Sequence, residues 1–294
     1  MLESKCRMRI FPAWAICFLL MSPHLFAQDT PEELRKIARN PFADVIKLPL
    51  EEDVNFSAGP FNRTANSLQL QPVLPFQISE GWLLIPRIVA TGVAYQPDVT
   101  QRTAGVTGLG DTTSTFLLTP AHTGRLIWGA GPTLLLPTAT SSELGSGKWG
   151  LGPTVVAVTE PKWGSVEMLV QNIWSIAGNS ERASVNEMEV DLSFSYNLPH
   201  GWYLTSGPSI TADWTQVRSE RWLVPVGGGA GRSFNIGKQA VDTNLAVYYN
   251  VVRPEPSLLQ AGKFPCSSHS CSRNPTIASR SSREFRSASA LLAA

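Results

Sequence analysis

Between Gly201 and Trp214 apolar and polar residues take turns: Trp202, Leu204, Pro208, Ile210, Ala212 and Trp214 hold one parity, while Thr205, Gly207, Ser209, Thr211 and Asp213 hold the other. A period of two places one set on each face of a strand. The same reading applies to Met188, Val190, Leu192, Phe194 and Tyr196 against Glu187, Glu189, Asp191, Ser193 and Ser195. It applies to Leu126, Trp128, Ala130, Leu134 and Leu136 against Gly129, Gly131 and Thr133, and to Val241, Leu245, Val247, Tyr249 and Val251 against Asp242, Asn244 and Asn250. Weaker alternation at 54–60, 66–78, 82–95, 108–119, 149–160, 165–177 and 221–234 brings the expected strands to eleven. Several approach ten residues, the length of a tilted membrane-crossing strand rather than the five or six usual in soluble sheets.

A soluble β-sandwich alternates too, and the connections separate the two cases. Ser79-Glu80-Gly81, Pro120–Gly124, Pro161–Gly164, Pro199-His200-Gly201 and Asn235–Gln239 are tight. Between them lie Gln96–Thr107, Thr138–Lys148, Gly178–Asn186 and Thr215–Glu220, mostly longer and rich in Ser, Thr, Gly and charge. Alternating short and long connections are the mark of an outer-membrane barrel with tight periplasmic turns and larger external loops. Trp82, Trp202 and Trp222 open strands, Trp214 closes one and Trp163 sits in a turn, where an interfacial girdle belongs; Trp128 and Trp174 lie nearer mid-strand. The expected fold is therefore all-β, a transmembrane antiparallel up-and-down β-barrel.

Topology then sets the strand count. If the tight turns are periplasmic, the strand at 54–60 runs up, the eleventh at 241–252 also runs up, and an even-numbered barrel needs a twelfth in 253–294. That stretch is rich in Ser and Arg and shows no ten-residue alternation with an aromatic end; a strand over 285–294 would put Ser287 and Ser289 on the lipid face. We read 253–294 as an atypical tail, with the last strand missing or altered by a frameshift after about residues 254–256, over the alternative of a tail on an eleven-stranded barrel.

The N-terminus carries Lys5, Arg7 and Arg9, then the apolar run Ile10–Met21, then Ala27 before Gln28-Asp29. A basic start, an apolar run too short to span a bilayer and a small residue at the cut describe a secretory signal peptide over 1–27. Thr30-Pro31-Glu32-Glu33 followed by Leu34, Ile37 and Ala38 predicts a short helix within a periplasmic segment, 28–53. The barrel is expected over 54–252.

Composition refines the picture. The 294-residue chain has 24 Lys+Arg and 23 Asp+Glu, but this balance joins three unlike segments. Residues 28–252 hold 15 basic and 20 acidic residues, a net charge of −5, between a basic start and a basic tail. Charged residues make up only 16% of the chain, which excludes a charge-driven disordered protein, and no basic cluster suits nucleic acid. Cys6 and Cys17 fall in the signal peptide and Cys266 and Cys271 in the tail, so neither disulfides nor a cysteine-bound metal holds the body.

No motif points to an enzyme. His24 leaves with the signal, His269 lies in the tail, and His122 and His200 fall in tight turns, which disfavours a barrel-embedded lipid hydrolase with its Ser–His pair. Gly145-Ser146-Gly147-Lys148 lacks the Ser or Thr and the spacing of a phosphate loop, and Gly227-Gly228-Gly229-Ala230-Gly231 ends on Arg232 where G-x-G-x-x-G needs Gly. Those strand glycines fit barrel curvature or close approach of a lumenal group. No catalytic, cofactor or metal residues are expected. The polar parities instead nominate lumen-lining residues: Gln69, Gln71, Arg87, Glu167, Gln171, Glu187, Glu189, Asp191, Asp242 and Asn244. The acids at 187, 189 and 191 either bias a pore towards cations or polar solutes, or form salt bridges with lumenal Arg and help to fill a narrow barrel.

Several stretches together carry a family resemblance. They include Asn40-Pro41-Phe42-Ala43, Leu48-Pro49-Leu50, Leu70–Phe76, Gly108-Leu109-Gly110-Asp111, Gly129–Thr133, Leu136–Thr140, Leu144–Trp149, Asn172–Ser175 and Pro199–Ser206. Over about 40–252 the chain resembles bacterial outer-membrane proteins grouped as meta-pathway phenol-degradation transporters, often mislabelled neuromedin U. The resemblance implies a Gram-negative outer-membrane barrel that takes up aromatic or other hydrophobic compounds, and transfers no site residue. The expected function is a channel or transporter for small solutes, the alternative a structural or adhesive barrel with a plugged lumen and functional loops. The expected partners are outer-membrane lipid, the barrel-insertion machinery and the solute. The coding DNA beyond codon 256, read in the other two frames, is expected to show an alternating segment with an aromatic end; finding none there refutes the frameshift.

Overall fold

A computed structural model describes residues 47–58, 61, 63–98, 104–122, 124–236, 239–253 and 283–293. The expected signal peptide, the expected short helix and most of the tail lie outside the described residues. The strands are β1 (Lys47–Ala58), β2 (Arg63–Leu70), β3 (Phe76–Ser79), β4 (Trp82–Pro97), β5 (Gly105–Gly108), β6 (Thr112–Pro120), β7 (Leu126–Leu136), β8 (Lys148–Thr159), β9 (Gly164–Gly178), β10 (Asn186–Asn197), β11 (Trp202–Ser206), β12 (Ser209–Asp213), β13 (Trp222–Ile236), β14 (Gln239–Val252) and β15 (Arg283–Ala293). All pair antiparallel in one sheet that returns on itself, β15 lying between β14 and β1.

Three staves of this barrel are each built from two strands, so fifteen strands make twelve staves. The stave of β2 and β3 is interrupted at Pro72 and Pro75, since proline has no N–H for the ladder. Val73 nonetheless bridges Lys47 and Arg87 there, and Leu74 N–H donates to the Pro86 carbonyl at 3.0 Å. β11 and β12 keep one register against β10 across Gly207-Pro208. β5 and β6 do the same against β4 across 109–111.

Each of the eleven expected strands falls on one of these staves, residues 59–60 lying outside the described residues. One boundary moves: β1 begins at Lys47, so 47–53 belongs to the wall and not to a segment preceding it. The adjacent acids Glu51 and Glu52 break the period there, and the β1 register against β15 shifts between Leu50 and Glu52. The twelfth stave that topology demands is supplied by β15, inside the tail. It fits irregularly, its pairing shifting register against β14 between Asp242 and Ala246 as well as against β1.

Burial is inverted relative to a soluble domain. Along β8, Trp149, Leu151 and Val155 are 50%, 40% and 52% exposed while Thr154 is 1% exposed. Among the strands whose side chains are described, the large exposed residues are mostly apolar, as lipid requires. The body's tryptophans form two rims. At the tight-turn end Trp82 and Trp128 meet edge to face at 6.3 Å, and Trp163 packs on Phe194 at 5.5 Å and stacks on Tyr196 at 6.5 Å. Trp202 joins them beneath the Arg232 guanidinium. At the loop end stand Trp149, Trp174 and the edge-to-face pair Trp214 and Trp222. From Trp149 down to Ala157, which pairs with Trp128, is eight steps. At about 3.3 Å per residue that is ~26 Å along the strand, or ~20 Å across the membrane at the usual tilt of about 40°. An apolar band of this height suits an outer membrane.

Val155, within this band, gives a test. Val155→Arg is expected to destabilise the barrel in bilayers by about 2 kcal/mol, measured by denaturant titration; a change below about 0.5 kcal/mol, ordinary for a solvent-exposed surface position, would place the residue in water.

Candidate functional site: the barrel interior

Because the outer face is apolar, the chemistry of this molecule is turned inward. Among the described residues, three hydrogen-bonded networks of interior side chains stand out. On β1, β2 and β4, the Gln71 amide donates to Glu51 at 2.9 Å and to Gln69 Oε1 at 3.2 Å, Arg87 donates to Gln71 Oε1 at 2.9 Å, and Gln69 donates to Asp53 at 3.4 Å. Gln69 is 0% exposed. A carboxamide both donates and accepts, so a glutamine pair can join the acids of β1 to the arginine of β4 in one chain of bonds.

A second network crosses six staves. Thr115 and Thr133 hydroxyls meet at 2.8 Å, Thr133 bonds Thr154, and Thr154 donates to Gln171 Oε1 at 3.3 Å. Gln171 donates to Glu189, and Ser209 bonds both Glu189, at 2.9 Å, and Asp191. The third network lies on β11, β13 and β14. There the Tyr203 hydroxyl donates to Asp242 Oδ2 at 2.6 Å, and Ser233 donates to the other carboxylate oxygen. Tyr203 reaches across β13 because Gly231 lies beneath it: a Cβ on Gly231 would sit 2.2 Å from the ring. This glycine serves close approach of a lumenal side chain, one of the two roles the sequence suggested.

The nominated residues can now be placed. Gln69, Gln71, Gln171, Glu189 and Asp242 are buried inside and hydrogen-bonded, and Arg87 and Asp191 are half-buried and bonded to the same networks. Glu167, Glu187 and Asn244 are half-buried on the same parities. Glu167 falls outside the three networks but within electrostatic range of Lys47, Arg87 and Asp191. Of the β10 acids, Glu189 accepts from Gln171 and Ser209, and Asp191 from Ser209.

Sequence reasoning missed three features. Lys47, 3% exposed, is hidden in sequence by the irregular start of β1. The threonines and Tyr203 sit on polar parities and could have been found by extending the lumenal list to every inward hydroxyl. The third feature is apolar. Val73, Ile85, Leu117, Ile127, Val156, Val158 and Leu169 pack together inside, on adjacent staves from β2–β3 to β9. The barrel interior is thus amphipathic.

At the loop end the 138–148 connection is fixed in place. Asp111 accepts from Ala139 N–H at 3.2 Å, from Ser146 N–H at 2.6 Å and from the Ser146 hydroxyl at 2.8 Å. Arg182 donates to the Ser142 carbonyl at 2.7 Å and to that of Ser146 at 3.2 Å. This loop is a built element of the barrel's loop end.

No protein-family model matches the chain, and no curated protein matches it in sequence. Among solved structures, it is similar to the crystal structure of an outer membrane channel from Pseudomonas putida F1, with a TM-score of 0.58 and 15% sequence identity over 85% of this chain and 95% of that one. The fold is that of an outer-membrane barrel. At this identity the likeness carries the architecture alone, and the residues of the interior must be argued on their own chemistry.

Tyr203→Phe leaves Asp242 one donor short and is expected to lower unfolding stability by about 1–3 kcal/mol. Gly231→Val displaces the ring as well and is expected to cost more. Denaturant titration of the folded barrel measures both; equal stability of wild type and Tyr203→Phe would remove the hydroxyl from the network.

Proposed function

We propose that the protein is a passive channel of the Gram-negative outer membrane for small solutes, including aromatic or otherwise hydrophobic ones. The observation that carries this reading is the amphipathic interior. A wall of hydroxyls, amides and carboxylates offers a solute replacement hydrogen bonds, and the apolar patch beside it accepts a hydrocarbon face. A barrel that served only to display loops would need neither. The similar outer membrane channel and the family resemblance over 40–252 support the same reading. Export by the 1–27 signal and insertion by the barrel-assembly machinery belong to it, and it requires no catalytic group or cofactor. The register shifts on both edges of β15 support reading 253–294 as an altered replacement of the original last stave.

One observation favours the structural or adhesive alternative: Gln69 and Thr133 are 0% exposed and Thr154 is 1% exposed, so the interior is closely filled. Liposome swelling and single-channel recording on the refolded full chain separate the two. Influx of small uncharged solutes, with molecules bearing an aromatic ring entering faster than sugars of equal size, is the expected result. Liposomes that stay sealed to every solute would refute the channel.

A further inference from the structure

The connection between β7 and β8 turns into the barrel instead of standing clear of it. Gly108 of β5 pairs with Ala94, and Ala94 with Ser67, whose parity on β2 is that of the buried Gln69, so Gly108 faces inward. A Cβ on Gly108 would lie 3.0 Å from Leu144 Cδ1, which puts the tip of the connection against the inner face of β5. Asp111 continues the inward parity of Thr113, Thr115 and Leu117, and there its carboxylate accepts from Ala139 N–H, Ser146 N–H and the Ser146 hydroxyl. A turn closed by Leu144 N–H on the Ser141 carbonyl, at 3.2 Å, carries the chain inward, and Gly147 at φ +67° carries it back to β8.

The turned-in stretch is packed and fastened. Leu144 is 5% exposed, and no side chain fits at Gly145, where a Cβ would lie 2.4 Å from Asp111 Oδ1 and 2.3 Å from Ala139 Cβ. From the next connection, 178–186, the Arg182 guanidinium donates to the carbonyls of Ser142, Gly145 and Ser146. Charge-assisted bonds of this kind are roughly twice as strong as neutral ones, and both ions aim them at backbone groups of the loop. An external loop in free water gains little from such bonds, because water satisfies its backbone.

We propose that 138–148 is a fixed inward-turned loop that narrows the external entrance of the pore, with Asp111 and Arg182 as the positioning residues that set the aperture. The proposal rests on the channel reading above. A fixed constriction sorts solutes by cross-section before the amphipathic wall below meets them. Neither side chain takes part in the strand ladder, so the aperture can be changed without opening the wall.

The test is single-channel current and liposome swelling on the refolded full chain, with its four cysteines replaced by serine. Asp111→Ala and Arg182→Ala should each raise conductance severalfold and admit larger sugars than the parent does. Arg182 lies outside the strands, so its replacement carries the test should Asp111→Ala fail to fold. A second measurement reads the loop's position: Ser142→Cys, exposed on the loop and labelled with a bulky maleimide, should cut the current of the parent, and cut it less with Arg182→Ala added. A residue that only stabilised the fold would leave that block unchanged. If both alanine variants conduct as the parent does and the label leaves the current unaltered, the fixed loop is overturned while the channel stands. If no form conducts or admits any solute, the channel reading fails and the aperture with it.

Discussion

In the hydrocarbon of a bilayer a backbone N–H or C=O has no water to bond, so a sheet that crosses must close on itself. Everything else in this molecule follows from that closure. Twelve staves leave no edge, and where proline or a bend interrupts the ladder a substitute appears. Gly207 N–H, beside Pro208, donates to the Tyr248 hydroxyl at 2.6 Å, and Gly110 N–H donates to the Thr91 carbonyl at 3.1 Å. The β10 strand meets the same break from the other side, Leu192 N–H donating to the Pro208 carbonyl at 3.0 Å. The irregular stave β15 matters for the same reason: without it β1 and β14 would each present an unpaired edge to lipid.

Closure also decides where side-chain energy is found. With lipid outside, burying apolar residues inside no longer distinguishes the folded state by removing them from water. Stability leans on hydrogen bonds between inward polar groups, each of which would otherwise be costly to leave unmatched. That explains why the interior networks extend over many staves. A single Thr–Thr contact such as Thr115 to Thr133 contributes little, but Thr154, Gln171, Glu189 and Ser209 continue it, so no member faces the interior alone.

The wall was legible in the sequence because lipid imposes a parity over long segments, strongest on β7, β10, β11–β12 and β14. The interior was legible only where it is polar. Inward Ile85 and Val89 interrupt the contrast between parities on β4, which is why 82–95 alternates weakly. A reading that assigns polar residues to the lumen cannot see an apolar patch placed there. Lys47 was lost for a different reason: Leu48-Pro49-Leu50 and then two adjacent acids give no period, and the strand becomes visible only through its partners at Val73 and Leu70. The tail resisted because β15 owes its place to two open edges rather than to its own alternation.

Threonine explains how polar and apolar interior surfaces meet without a fault between them. On β6, Thr113, Thr115, Leu117 and Thr119 point inward in succession, and all are buried. Thr115 belongs to the hydroxyl ladder, Leu117 to the apolar patch, and the Thr119 hydroxyl donates to the Trp128 carbonyl at 2.7 Å. Thr115 and Thr119 each turn a hydroxyl to a neighbour on the wall, so the strand can pass from one surface to the other with those donors occupied. The apolar patch can then vary in shape without breaking the bonds that hold the staves together. In such a barrel the residues of the apolar patch are separable from those whose bonds hold the wall closed, Leu117 and Val156 belonging to the first set and Thr115 and Thr154 to the second.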